Sequence, residues 1–253
     1  MTSLKDYQMR VYVENLGKYE QGDSQGAWIT LPVSKSDLTA FLKNEIGVDG
    51  YGEYAIHDYA GDEGLLWYVA APGEDASLTD LNVMCRAFES REDDDPQVYE
   101  KVQAIRDDYD ATARAPLQYA NLALNSDDIP YYEYEAPASV ESKYGKYGWT
   151  AINHEWAPEA VVNLFADSGY GYCFDVEKFG RDLSTDSDVS LSENGYLENA
   201  DWPSDIDDRY SYEELADEVS WLDDADDEHH GSACDPADPL TMTDPTAVTG
   251  VTR

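Results

Sequence analysis

Twelve carboxylates fall within the 24 residues from Asp205 to Glu228, and Arg209 is the only basic side chain among them. Acids at such density can work in pairs as general acid and base, hold divalent cations, or present an anionic surface. The first needs two acids in unlike environments inside a cleft. Neighbours such as Asp107 and Asp108 arise from composition alone in so acidic a chain, and a solvated face accounts for them. The second needs a ligand geometry. The run "DSDVSLSENGYL" looks like a calcium loop, but no glycine stands at its sixth position and Leu197 fills the twelfth. The third use is the one left.

Histidines and cysteines assemble no site by spacing. His57 alternates within an expected strand and reads as a structural histidine with its polar needs met. His154 adjoins Glu155 and Trp156 with no metal-spaced neighbour, while His229 and His230 follow a run of acids near Cys234 and read as solvated tail. H-E-x-x-H, G-x-S-x-G and G-x-x-x-x-G-K are missing, and "GYGYCF" lacks the third glycine of a dinucleotide loop. The expectation is therefore no catalysis, no cofactor and no metal. Cys85, Cys173 and Cys234, odd in number and far apart, fit reduced thiols in the cytoplasm better than a disulfide framework.

Charge dominates the composition: 54 acids against 16 bases, net −38 over 253 residues, with 42% apolar residues and 20 tyrosines to build cores. A surface of this sign repels DNA, RNA and anionic membranes and attracts basic protein surfaces. No run of about 18 apolar residues predicts a membrane span, and "MTSLKDYQMRVYVENLG" lacks the segments of a signal peptide. The acid is graded, with nine acids and five bases over Met1–Ala60 but eighteen and two over Arg181–His230. Salt adaptation would acidify the whole surface. Were Asp205–Glu228 helical throughout, its acids would recur every ~3 Å, close to the ~3.4 Å between phosphates of a DNA strand. Lys- and Arg-lined grooves built for phosphates would accept such an array, with a grip that fails as salt rises.

The elements that must position these acids read as α+β: an elongated chain of small domains in line. Residues 8–62 form an N-terminal α+β domain of three strands ("MRVYVEN", "GAWITLP", "EYAIHDY") and one helix from Ser34 to Gly47. Residues 63–150 form a mainly helical domain. "SLTDLNVMCRAFES" buries Leu81, Met84, Cys85 and Phe88; "DPQVYEKVQAIRDDYD" has Asp95 as N-cap, Pro96 at the first helical position and Val98, Val102, Ile105 and Tyr109 inward; "APLQYANLAL" is a third helix. "DDIPYYEYEAPASVESKYGKYGWT" reads as irregular or short-stranded. Residues 151–222 form a C-terminal α+β domain with "APEAVVNLFADSG" helical, "DVSLS" a strand, and a last helix opened by the Ser211/Glu214 capping box, with Leu215, Val219 and Leu222 on one face. Residues 223–253 read as a disordered acidic tail.

Particular residues add a resemblance. Asn15, Leu16, Gly17, Lys18, Tyr19, Gly22, Gly26 and Trp28, within Arg10–Pro32, resemble the opening of the ArdA family of antirestriction proteins: a strand, an N-L-G-K-Y turn, a glycine-containing loop, then G-x-W before a second strand. Glu53–Tyr59 resembles the end of that family's first domain, and "FDVEKFGRDL" followed by "ENGYLE" its C-terminal signature. The stretch from Ile129 to Thr150 looks like that of the longer members, and the region after about Glu198 is an extension with no counterpart. Gly17, Trp28 and Gly180 read as turn and core residues that identify the family without touching a target.

The resemblance implies an elongated homodimer whose acidic surface imitates bent duplex DNA. It implies occupation of the DNA-binding groove of type I restriction–modification enzymes, at the methyltransferase core, blocking restriction and often methylation. It also implies carriage on plasmids and conjugative transposons, and action in the cytoplasm. The carboxylates expected to carry this are Asp94, Glu100, Asp107, Asp108, Asp110, Glu213, Glu214, Asp217 and Glu218. A mimic aimed at a CRISPR effector or a nucleoid protein would need the same kind of surface. A carboxylate enzyme would show metal binding with turnover, and a salt-adapted protein would unfold in low salt.

Overall fold

The structure is a computed structural model and describes residues 3–48, 53–61, 63–108, 114–166, 169–198, 203 and 205–220. Strand β1 (Met9–Asn15) is the centre of an antiparallel sheet. Period-two alternation sends Met9, Val11 and Val13 inward, fully buried, and leaves Arg10 and Tyr12 on the other face. Asn15 ends the strand by doing two things at once. Its Oδ1 accepts from the Lys18 N–H (3.0 Å), capping a one-turn helix, α1 (Leu16–Tyr19), and its Nδ2 donates to the Ile46 carbonyl (3.1 Å).

Strand β2 (Gly26–Leu31) pairs with β1 in the register Tyr12↔Trp28. A Cβ at Gly26 would stand 2.6 Å from the Tyr12 hydroxyl, so close ring-to-backbone approach explains the glycine of G-x-W. Trp28 itself is not a core residue. It falls on the outer face, its ring 5.4 Å from Tyr12 and under the Arg10 guanidinium at 5.2 Å, because Ile29 and Leu31 hold the inward positions. Helix α2 (Lys35–Phe41) opens on Ser34, whose Oγ accepts from the Asp37 N–H. The coil widens through Leu42–Ile46 and stops at Gly47, φ 78°, as the left-handed position requires. Strand β3 (Tyr54–Tyr59) completes the sheet, order β2-β1-β3.

Helix α3 (Leu78–Arg91) buries Leu78, Leu81, Met84, Cys85 and Phe88. Helix α4 (Val98–Asp108) starts two residues later than its sequence suggests. Asp95 accepts from the Gln97 N–H (3.1 Å), but its carboxylate turns inward to Lys101 at 2.7 Å and the pair is buried, so Pro96 precedes the helix. Val98, Val102 and Ile105 are buried as expected, while Tyr109 lies outside the described residues. Helix α5 (Pro116–Leu124) follows, then a short strand, β4 (Tyr131–Glu133).

Within the stretch read as irregular or short-stranded lies a three-turn helix, α6 (Lys143–Asn153). Gly145, Gly148 and the aromatic residues Tyr144, Tyr147 and Trp149 lower its helix propensity and hide it. Packing supplies the reason for those glycines. Helix α7 (Glu159–Ala166) precedes α8 (Val176–Asp186), and α8 crosses α6 at glycines on both sides: a Cβ on Gly148 would sit 2.4 Å from the Val176 carbonyl, and one on Gly180 2.0 Å from that of Tyr144. Strands β5 (Val189–Leu191) and β6 (Gly195–Glu198) then join β4 in a second antiparallel sheet, order β4-β6-β5, with Tyr131 and Ser190 flanking Leu197.

The fold is thus α+β, with two three-stranded sheets among helices. One apolar cluster runs from β1 through α3, α4 and α5 to Tyr131, Leu197 and the last helix, α9 (Tyr212–Glu218). The extension beyond Glu198 therefore has a place: Leu215, Ala216 and Val219 are buried, and α9 packs on α3 and α5. The capping box is formed, Ser211 N–H to Glu214 Oε2 at 2.9 Å and Glu214 N–H to Ser211 Oγ at 3.4 Å. The helix nonetheless ends at Glu218, with Ser220 at φ 55°. Asp217 and Glu218 in its last turn oppose the helix dipole. Leu222 and the expected tail, 223–253, lie outside the described residues.

Candidate functional site: an anionic surface

Asp205–Asp208 is a turn and α9 spans seven residues, so the described part of the Asp205–Glu228 array is no continuous charged helix. The linear match to a phosphate strand fails there, and any extended anionic surface has to come from tertiary structure.

The nine expected carboxylates separate accordingly. Asp94, Glu213, Asp217 and Glu218 are exposed and make no ion pair among the described residues. Glu214 is exposed too, and the Ser211 backbone and side-chain hydrogen bonds of the helix cap hold its carboxyl below the usual range. Asp107 is exposed but pairs with its neighbour Arg106 at 2.7 Å, which offsets its charge. Glu100 is half-buried, with one carboxylate oxygen enclosed and without a hydrogen-bond partner among the described residues. Asp108 ends α4 with its side chain outside the description, and Asp110 lies outside the described residues.

What sequence reasoning missed is a series of acids strung between buried phenols. The Tyr99 hydroxyl is pushed up by burial first, then by Glu92 and Asp6. Asp6 also bears on Tyr68, again after burial, together with Glu100. Glu100 also lies near Tyr131, whose phenol is pushed up to about 12 by burial first and then by the carboxylates of Glu100 and Glu133. Glu135 follows two residues after Glu133. Burial and then Glu198, with Glu135 a smaller contributor, push Tyr196 up to about 12. Asp6, Glu92, Glu100, Glu133, Glu135 and Glu198 thus each lie near at least one of the phenols of Tyr68, Tyr99, Tyr131 and Tyr196. Each phenol is held neutral, so the negative charge here resides on the carboxylates. The alternation in "YYEYE", Tyr131–Glu135, was the signal available in the sequence.

Basic side chains are spent elsewhere. Arg91 pairs with Asp127 (2.9 Å), Arg209 with Asp128 (2.7 Å), Arg114 with Asp207 (3.1 Å) and Lys101 with Asp95. These contacts tie the loops around α5 together; of the acids above, Glu92 has Lys5 nearby, Glu133 accepts from the Gln97 side chain (2.7 Å) and Glu135 lies 3.0 Å from His154. His57 is satisfied as read, its Nδ1 2.8 Å from the buried Glu14, which also accepts from Ser24 (2.6 Å). A groove of about 590 Å³ between the end of α4, the start of α6 and β5 is lined by Asp107, Glu141, Lys143 and Glu193 among others, with no His or Cys. Among the described residues no three His, Cys, Asp or Glu side chains are disposed to share a metal ion, and no helix is long and apolar enough to cross a membrane. Cys85 is buried, its thiol pushed up by burial, and Cys173 is exposed and free; Cys234 lies outside the described residues.

Comparison with known families gives one match. The family described as Antirestriction protein (ArdA) matches residues 11–198, more than half of the chain, from β1 to the end of β6. No curated protein matches it.

Proposed function

The chain belongs to the ArdA family of antirestriction proteins, which act against restriction–modification enzymes, and on that premise we propose that it does so as a mimic of bent B-form DNA. Its partner in this reading is the methyltransferase core of a type I restriction–modification enzyme, whose DNA-binding groove it occupies in the cytoplasm as a homodimer, without catalysis and without touching nucleic acid. The observation that supports this best is the set of carboxylates from Asp6 to Glu198 that lie near the phenols of Tyr68, Tyr99, Tyr131 and Tyr196, together with the exposed acids of α9. Lysines and arginines that neutralise phosphates gain most from releasing condensed ions, and a fixed array of carboxylates gives them the same opportunity. A folded array also avoids the cost of bending a duplex, about 1–6 kcal/mol for a site of ordinary length. A homodimer doubles the charge of −38 and lengthens the array.

The test is displacement of a labelled duplex from a purified type I methyltransferase, titrated at two ionic strengths. The mimic displaces DNA competitively at low salt, and its apparent affinity falls steeply as salt rises. Failure to displace DNA at either ionic strength ends the proposal.

A further inference from the structure

We infer that the exposed rings of Tyr132 and Trp156, with the carboxylates of Glu135 and Glu155 beside them, are a receptor for arginine side chains of a partner's basic groove. The inference rests on the reading above and names the chemistry by which one part of that surface is gripped. Both rings pack on the same buried side chain: Tyr132 stacks on Tyr196 at 5.5 Å between centroids, and Trp156 meets it edge-on at 6.3 Å. Yet Tyr132 is 46% exposed and Trp156 48%, so part of each anchored ring remains accessible. His154 stacks on Trp156 at 4.9 Å and its Nε2 lies 3.0 Å from Glu135, so the carboxylate and the indole share His154 as a neighbour.

The backbone that places them is costly. Helix α6 closes with the Trp156 N–H on the Ala151 carbonyl (2.9 Å) and the Glu155 N–H on that of Ile152 (3.2 Å), leaving Glu155 left-handed at φ 59°. That position favours glycine, and the helix dipole disfavours an anion there. A glutamate occupies it, exposed, between His154 and Trp156.

Open aromatic faces rimmed by carboxylates match one chemistry closely. A guanidinium stacks flat on a ring and forks onto a carboxylate, and it sheds water more readily than an ammonium. Nucleic acid bases also stack, but their phosphates are repelled here. A second copy of this chain brings few free cations, since it has 16 bases against 54 acids and Arg91, Arg106, Arg114 and Arg209 are already paired.

The experiment is calorimetric titration of the full chain with oligo-arginine and oligo-lysine peptides of equal length. The arginine peptide binds about fivefold tighter. A Tyr132→Ala/Trp156→Ala double variant loses that preference while still binding both peptides through charge; Trp156→Phe retains most of it. Should the double variant not fold by circular dichroism, Trp156→Ala against Trp156→Phe makes the same comparison. Equal affinity of the wild type for the two peptides, or a preference that survives removal of the rings, overturns the inference. So does dissociation of a dimer by the ring substitutions, which assigns the patch to a second copy. In the duplex-displacement assay, unchanged displacement by the double variant removes the patch and leaves the DNA-mimic reading standing. Arginine preference without any displacement by the wild type keeps the patch and removes the target.

Discussion

Asn121 pairs with both backbone groups of Tyr210: its Oδ1 accepts from the Tyr210 N–H at 2.7 Å and its Nδ2 donates to the Tyr210 carbonyl at 3.1 Å. The contact joins α5, inside the family-matched residues, to the segment beyond them that leads into α9. Asn121 is 2% exposed, so water cannot replace the partner it supplies.

Asn121→Ala strands the Tyr210 peptide group and is expected to cost about 1–3 kcal/mol in urea unfolding. Leu215→Ala removes an apolar side chain from the same junction and is expected to cost about 2–5 kcal/mol. Equal stability of both variants and the wild type would mean that α9 is not integral to the fold.

Stability should depend on acid through Asp95. Burial by itself would raise this carboxyl, but hydrogen bonds with Lys101, Ser126 and the Gln97 N–H outweigh it and hold it below the ordinary 3.8. A depressed folded value means that the contribution is complete above the unfolded value and is lost as pH falls through the folded one. Stability of the wild type therefore declines below about pH 4. Lys101→Met leaves a buried carboxylate without its partner, costs about 3 kcal/mol at neutral pH, and turns acid from destabilising to stabilising at this site. Parallel denaturation curves at pH 3.5 and 7 check the sign.

Gly180→Ala forces a Cβ toward the Tyr144 carbonyl, 2.0 Å away in the present geometry, and Gly148 offers no side chain that could yield. The expected cost is about 1–3 kcal/mol, with separation of α6 from α8. Ala at Gly73, where a Cβ meets nothing within 4 Å, is the control and leaves the melting temperature unchanged.

Charge removal should act gradually. Asp107→Asn deletes a carboxylate already paired with Arg106 and leaves duplex displacement unchanged within about twofold. Neutralising Asp6, Glu92, Glu133, Glu135 and Glu198 together weakens displacement progressively and flattens its dependence on salt. One neutral substitution that abolished inhibition would indicate a discrete site instead.

Most elements were legible because they rest on local rules. The alternation of "MRVYVEN", the Ser34 cap, Gly47 at the helix end and the Ser211/Glu214 box each formed as their residue types dictate. Helix α6 was not legible, since Gly148, which weakens it locally, is justified only by α8, about thirty residues away. Nor was Trp28, whose face follows from which neighbours took the inward positions of β2.

By itself the sequence determined the charge, most of the secondary-structure segments and the family, since each depends on residue identity and near neighbours. Only the tertiary structure decided which acids matter as a surface. Arginines distant in sequence offset some of them, as Arg209 does Asp128, while Glu100 and Glu133 come near the buried Tyr131 and Glu198 near the buried Tyr196. Electrostatic fields add through space and not along the chain, so a count of carboxylates could give their number but not their arrangement.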